Sequence, residues 1–161
     1  MHKLAPSAIA VLGCALATGC PADENGHGTP GVISTIDAAP PAPVTEWRAT
    51  LFATSMHMPL NGDVFVRQTA GEQAFIATIT IRNDANFVTR PWHLQVGACG
   101  SGGLIVAGAG AYPPVKIGSD GSGQVTITIR TSLDPAGIYS ATVRHADDDP
   151  RALACGDLVR Q

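Results

Sequence analysis

The chain is expected to be all-β, an antiparallel Greek-key β-sandwich or barrel of seven to eight short strands, and three observations predict it. From Glu46 onward apolar residues recur at every second position, the period of a strand with one buried face. Clusters of Asn, Asp, Gly, Ser and Pro separate the alternating runs. No segment sustains a 3.6-residue apolar stripe, so no amphipathic helix competes with this assignment.

The individual strands follow from that alternation. In Gln73–Arg82, Phe75, Ala77, Ile79 and Ile81 share one face, and Ile76, Thr78, Thr80 and Arg82 share the other. Gln124–Arg130 sets Val125, Ile127 and Ile129 inward against Thr126, Thr128 and Arg130 outward. Gly137–Arg144 sets Tyr139, Ala141 and Val143 against an outward row of Ser140, Thr142 and Arg144. Further strands are predicted at Trp47–Ser55, Asp63–Gln68, Pro91–Val96, Val115–Ile117 and Ala152–Val159. Turns are expected at Asn61-Gly62, Asn83-Asp84, Asp120-Gly121-Ser122-Gly123 and Asp134-Pro135-Ala136-Gly137.

Composition narrows the function. The formal charge of −3 on 161 residues becomes about −4 once Lys3 departs with the leading segment. No Lys/Arg run or basic stripe is present, so nucleic acid is not expected as a partner. Gly, Thr, Val, Ile and Ala are abundant and charges sparse, which suits β-structure. A folded part of roughly 115 residues can bury enough apolar surface to stand alone.

Residues 1–19 read as a targeting segment. Met1-His2-Lys3 is a short basic start, and Leu4–Leu16 is apolar but too short to span a bilayer. The run closes on Leu16-Ala17-Thr18-Gly19-Cys20, which resembles the bacterial lipobox, with Ala17 where that motif prefers Leu. The resemblance implies a lipidated Cys20 at the mature N-terminus and a membrane-anchored lipoprotein of the bacterial cell envelope, periplasmic or surface-facing. Val11-Leu12-Gly13-Cys14 is a weaker second candidate, and an ordinary secretory signal is the plain alternative. Each of these takes the chain out of the cytoplasm.

With Cys14 lost and Cys20 lipidated, Cys99 and Cys155 remain as an even pair in an oxidising compartment, and a disulfide is expected between them. Two buried free thiols are the alternative. Residues 20–45, with Pro21, Pro30, Pro40, Pro41 and Pro43, read as an extended tether carrying a domain over 46–161. His27 in that tether is expected to be a solvated side chain.

Three segments in order resemble the copper/zinc superoxide dismutase superfamily and its degenerate bacterial relatives. Pro91-Trp92-His93-Leu94-Gln95-Val96-Gly97-Ala98-Cys99 resembles that family's His-x-His strand and its disulfide cysteine. Asp120-Gly121-Ser122-Gly123 with the strand after it is similar to the family's Asp-Gly turn. Ala154-Cys155-Gly156-Asp157-Leu158 is similar to the closing segment whose cysteine pairs with the first. The resemblance runs from about Trp47 to Gln161 and implies a superoxide-dismutase-like domain.

It also implies a copper and zinc cage that this chain does not carry. Imidazole holds copper through both oxidation states; His93 matches the first copper ligand, but Gln95 stands where the second belongs. Arg144 holds the in-phase outward position on the later strand, and His145 falls one residue late unless a bulge turns it. No histidine lies between Gly100 and Lys116, so no zinc site is expected. Arg151 sits one position further from Cys155 than the family's guiding arginine.

Catalysis is therefore not expected, nor is a required cofactor, and an unknown envelope partner is the expected target of a binding or structural module. Copper is the one metal the chain could hold, at His93 and His145 or at Met56-His57-Met58, whose thioethers and imidazole suit Cu(I). A copper-binding protein or a residual copper-dependent dismutase is the competing expectation. Asp147-Asp148-Asp149 reads as a solvated acidic loop, because consecutive side chains diverge too far for a calcium site. Gly100–Gly110 follows no strand–helix pattern that would cradle phosphate and reads as a flexible loop.

Overall fold

A computed structural model describes residues 40–56, 58–149 and 151–161. The targeting segment, Cys20, most of the tether and His57 lie outside the described residues. The first strand, β1, spans Val44–Ala53 and is followed by β2 (Asn61–Thr69) and β3 (Phe75–Arg82). Then come β4 (Thr89–Arg90), β5 (Trp92–Val96) and β6 (Val115–Lys116). The last four are β7 (Gly123–Ile129), β8 (Tyr139–Arg144), β9 (Ala152–Asp157) and β10 (Val159–Arg160).

These strands form the antiparallel all-β architecture that the alternation predicts. The main sheet runs β5-β8-β9-β1-β2-β3-β7, with β10 also on β1 and a separate β4-β6 pair. The sheet curls into a half-barrel around one core. β1, β2 and β3 are a meander, and β9 returns from the far end of the chain to lie beside β1, a Greek-key closure.

Register explains the core. Trp47, Ala49 and Leu51 of β1 face inward with Val64 and Val66 of β2 and Phe75, Ala77, Ile79 and Ile81 of β3, all buried. Trp92, Leu94, Ala141, Val143 and Ala154 extend the same layer across the other half of the sheet. Neighbouring backbones approach closely at glycines on both sides of β1. A Cβ at Gly62 would meet the Thr80 carbonyl, and one at Gly156 would meet the Thr50 carbonyl.

Several boundaries differ from the sequence reading. β1 begins at Val44, inside the stretch assigned to the tether, because Val44 and Thr45 pair with Thr69 and Gln68 of β2. Asn61-Gly62 is not a turn but the start of β2, paired with Arg82 and Ile81. The turn-forming residues there serve close strand contact instead. The predicted strand Ala152–Val159 divides at Leu158 into β9 and β10, and β4, two residues long, is not among the predicted strands.

The largest correction concerns Ser140 and Thr142, expected outward and solvated but 0% and 4% exposed. The chain after Val96 crosses the outer side of β8 to place Cys99 beside Cys155 on β9, and it dehydrates that row. The disulfide forms between these cysteines, with Cα atoms 5.8 Å apart. The Cys99 N–H also donates to Asp157 Oδ1 at 2.6 Å. Nor does the glycine-rich loop hang free. The Val96 N–H donates to Leu104 O and the Val106 N–H to Leu94 O, both at 2.9 Å, stitching residues 104–106 to the edge of β5.

At the other end of β5, Arg90 grips Asp84 with two bonds of 2.6 and 2.8 Å, both side chains nearly buried. Burial alone would raise the Asp84 pKa. The Arg90 bond, the Ala85 N–H and the positive charge outweigh it and hold the carboxyl below its ordinary value.

Because the disulfide closes a loop across a sequence separation of 56, its loss should cost about 4 kcal/mol in the chain-entropy picture. Reduction, or Cys155→Ser, should lower the melting temperature of the full chain by more than about 10 °C. Calorimetry with and without reductant measures this, and coincident melts would refute it.

Candidate functional site

Chemistry-bearing side chains concentrate on the outer face of β5 and β8. Strand alternation puts His93 and Gln95 on that face of β5, opposite Thr142 and Ser140 of β8. Cys155 of β9 is the next neighbour of Thr142, and Asp157 that of Ser140. The row is a buried polar layer, with His93 3% and Gln95 8% exposed.

Within the layer, the Thr142 hydroxyl donates to Gln95 Oε1 at 3.0 Å and lies 3.8 Å from Cys155 Sγ. Tyr112, from the loop after β5, stands edge-on to the His93 ring at 5.5 Å and to Trp92 at 5.1 Å. Its hydroxyl donates to Val106 O at 3.0 Å, and the Trp92 indole donates to Pro113 O at 3.0 Å. Tyr112 is thereby locked in place. Burial pushes its phenol far above its ordinary pKa, so it stays protonated.

His93 lacks a partner at Nδ1 among the described residues. Burial holds its pKa below the ordinary value, the Arg144 guanidinium pushes it further down, and Asp147 opposes both. The imidazole is accordingly neutral at pH 7.

No protein-family model matches this chain, and no curated protein matches it either.

The candidate copper ligands are distributed as follows. His93 lies in the buried layer. His145, on the exposed turn after β8, exerts its charge on Asp84 and Asp149, whereas Arg144 and Asp147 act on His93. Met56 is fully exposed, and Met58 is half-buried with its N–H donating to Ser55 O at 3.2 Å. His57, between them, is outside the described residues. Among the described residues no three His, Cys, Asp or Glu side chains come together as a metal site.

The strand β8 keeps its phase to the end. The Arg144 N–H donates to Pro91 O at 2.8 Å, continuing the β5 pairing, while the shift between Val143 and Arg144 falls on the β9 side. Arg144 therefore stands in the outer row with Ser140 and Thr142, half-buried. Arg151 lies elsewhere, exposed and bound to Asp149 through two bonds, 3.0 and 2.8 Å, which hold that carboxyl down at about 2. Asp147 and Asp148 are exposed, as a solvated loop requires. Beside the layer, a groove of about 670 Å³ runs past the disulfide, lined by Arg48, Thr50, Phe52, Cys155 and Asp157.

Sequence reasoning missed Tyr112. Its one signal was an aromatic residue directly before Pro113-Pro114, the single aromatic in the segment between β5 and β6.

The depressed His93 pKa makes stability depend on pH. As pH falls through about 6.5, the unfolded chain takes up a proton that folded His93 resists. Stability is complete above that pH and declines below it. The carboxylates Asp84 and Asp149 act only below about pH 4, so melts between pH 5.0 and 7.5 isolate the histidines. The melting temperature should fall across that window, and less steeply in His93→Asn. Equal slopes in the two proteins would reject this assignment.

Proposed function

We propose that this chain is an exported envelope lipoprotein, anchored through Cys20, whose superoxide-dismutase-like domain is a non-catalytic binding or structural module. One observation carries the loss of catalysis. On the outer face of β5 and β8, Arg144 occupies the row position from which a metal ligand would point, and its permanent positive charge opposes a cation beside His93. The second ligand position holds an amide in place of an imidazole, and its Oε1 accepts the Thr142 hydroxyl.

Support for the superfamily reading comes from the Greek-key strand order and from the bridge joining the segment after β5 to β9, as the resemblance implies. A disulfide also accords with an oxidising compartment. The anchor rests on the sequence Leu16-Ala17-Thr18-Gly19-Cys20 alone.

Two experiments test the parts separately. Titrating the full chain with Cu(I) and Cu(II) should show no stoichiometric binding that survives a competing chelator, and superoxide turnover no faster than the free-copper background. Tight one-to-one binding that vanishes in His93→Ala would establish the copper-binding alternative, and turnover above background would establish a residual dismutase. For the anchor, Cys20→Ser should move the protein from the membrane fraction to the soluble fraction and abolish labelling by a palmitate analogue. Membrane retention of that variant would remove the lipoprotein reading.

A further inference from the structure

Three side-chain polar atoms are buried without a hydrogen-bond partner among the described residues: Nδ1 of His93, Oγ of Ser140 and Nε of Arg144. All three belong to the outer row of β5 and β8. Native interiors leave few such atoms, and each costs about 1–3 kcal/mol when nothing satisfies it. Their concentration on one strand pair, with His93 and Ser140 more than nine-tenths buried, marks a place built to meet something.

Geometry puts two of them together. His93 faces Thr142 directly, and Arg144 is the next residue of that row, so His93 and Arg144 are diagonal neighbours across the pair. Such neighbours lie about 7–8 Å apart, a gap that one small ligand group can bridge. Both ends can supply donors. Arg144 presents Nε–H beside a terminal N–H in a fixed fork, and the His93 tautomer protonated at Nδ1 presents an N–H.

The charge is also uncompensated. Ion pairs among the described residues engage Arg82, Arg90 and Arg151, and none engages Arg144. Asp147 is near enough to influence His93, yet it is exposed and forms no ion pair with Arg144. A guanidinium cannot discharge itself by losing a proton. A half-buried one with a dehydrated Nε therefore favours a negatively charged acceptor.

We propose that Arg144 and His93 form a binding site for a small oxyanion, a carboxylate or phosphate group, in the outer layer of β5 and β8. The anion accepts from the Arg144 fork on one side and from His93 Nδ1–H on the other. Thr142, directly across from His93, is occupied with Gln95 on the far side from Arg144. The proposal rests on reading the domain as a binding module without a metal.

The test uses the purified full chain at fixed pH and ionic strength, titrated with sodium formate and, separately, sodium phosphate. Thermal shift and the ¹⁵N resonance of His93 Nδ1 are followed together. Wild type should respond saturably to at least one anion, with both readouts giving one Kd. Formate alone would identify a carboxylate site, and phosphate alone a phosphate site. Arg144→Gln should weaken that Kd at least about tenfold. Arg151→Gln, which removes an exposed charge, should leave it unchanged. Should Arg144→Gln not fold, Arg144→Lys keeps the charge but lacks the fork and should still bind more weakly. The proposal is overturned by no saturable response to either anion, by an unchanged Kd in the Arg144 variants, or by an equal loss in Arg151→Gln. Failure here with no copper bound would leave the metal-free reading standing, whereas copper held by His93 would remove both.

Discussion

An antiparallel sheet ordinarily keeps one face in water, and the covalent tie between Cys99 and Cys155 prevents that for β5 and β8. One strand, β8, separates β5 from β9, which carries Cys155. The chain must therefore pass over the outer side of β8 to make the bond. His93, Gln95, Ser140 and Thr142 on that side become interior. The consequences are visible in side-chain size: Ser140 and Thr142, the outer residues of β8 beneath the crossing, are small or β-branched. Polar groups caught beneath the crossing must satisfy one another, as Gln95 and Thr142 do, or remain unsatisfied, as His93 Nδ1 and Ser140 Oγ do.

The same crossing explains which parts of the molecule were legible in the sequence. Where one face is buried and the other wet, as in β3, alternation reported the strand and its inward residues, Phe75, Ala77, Ile79 and Ile81. Where a loop covers the second face, alternation still found the strand but assigned its polar residues to solvent, as with Ser140 and Thr142. Polar character reveals that a residue avoids the apolar core; it does not reveal whether another chain segment lies on top. Cysteine counting gave the bridge without its consequence, since pairing Cys99 with Cys155 fixes two points and not the path between them. Arg90 and Asp84 were illegible for a related reason. Six residues apart across a turn, they match no helix or strand spacing, and only the fold makes their contact a buried fork.

The position of Arg144 was legible, because strand phase alone placed it in line with Ser140 and Thr142, and the Pro91 bond preserves that phase. Its energetic meaning was not. On a solvated face an arginine is a soluble side chain of little consequence. On a covered face its dehydrated Nε becomes a demand for an acceptor, and its charge becomes a repulsion toward any metal ion nearby. His93 answers to the same field: its imidazole is held neutral by burial and by Arg144, which leaves a donor or acceptor but no second positive charge.

Donor and acceptor polarity then decides what such a layer can hold. A cation site needs lone pairs that converge and remain unused. On this face the Gln95 carbonyl oxygen is consumed by Thr142, and the thiol of Cys155 is spent in the disulfide. What is left over includes an Nε–H that can only donate and an imidazole nitrogen whose tautomer is free to donate as well. Of the unpartnered atoms only the Arg144 Nε–H is restricted to donating, and it carries the positive charge. A metal ion would find one imidazole and a guanidinium set against it; an oxyanion would find two complementary partners whose desolvation the fold has already imposed.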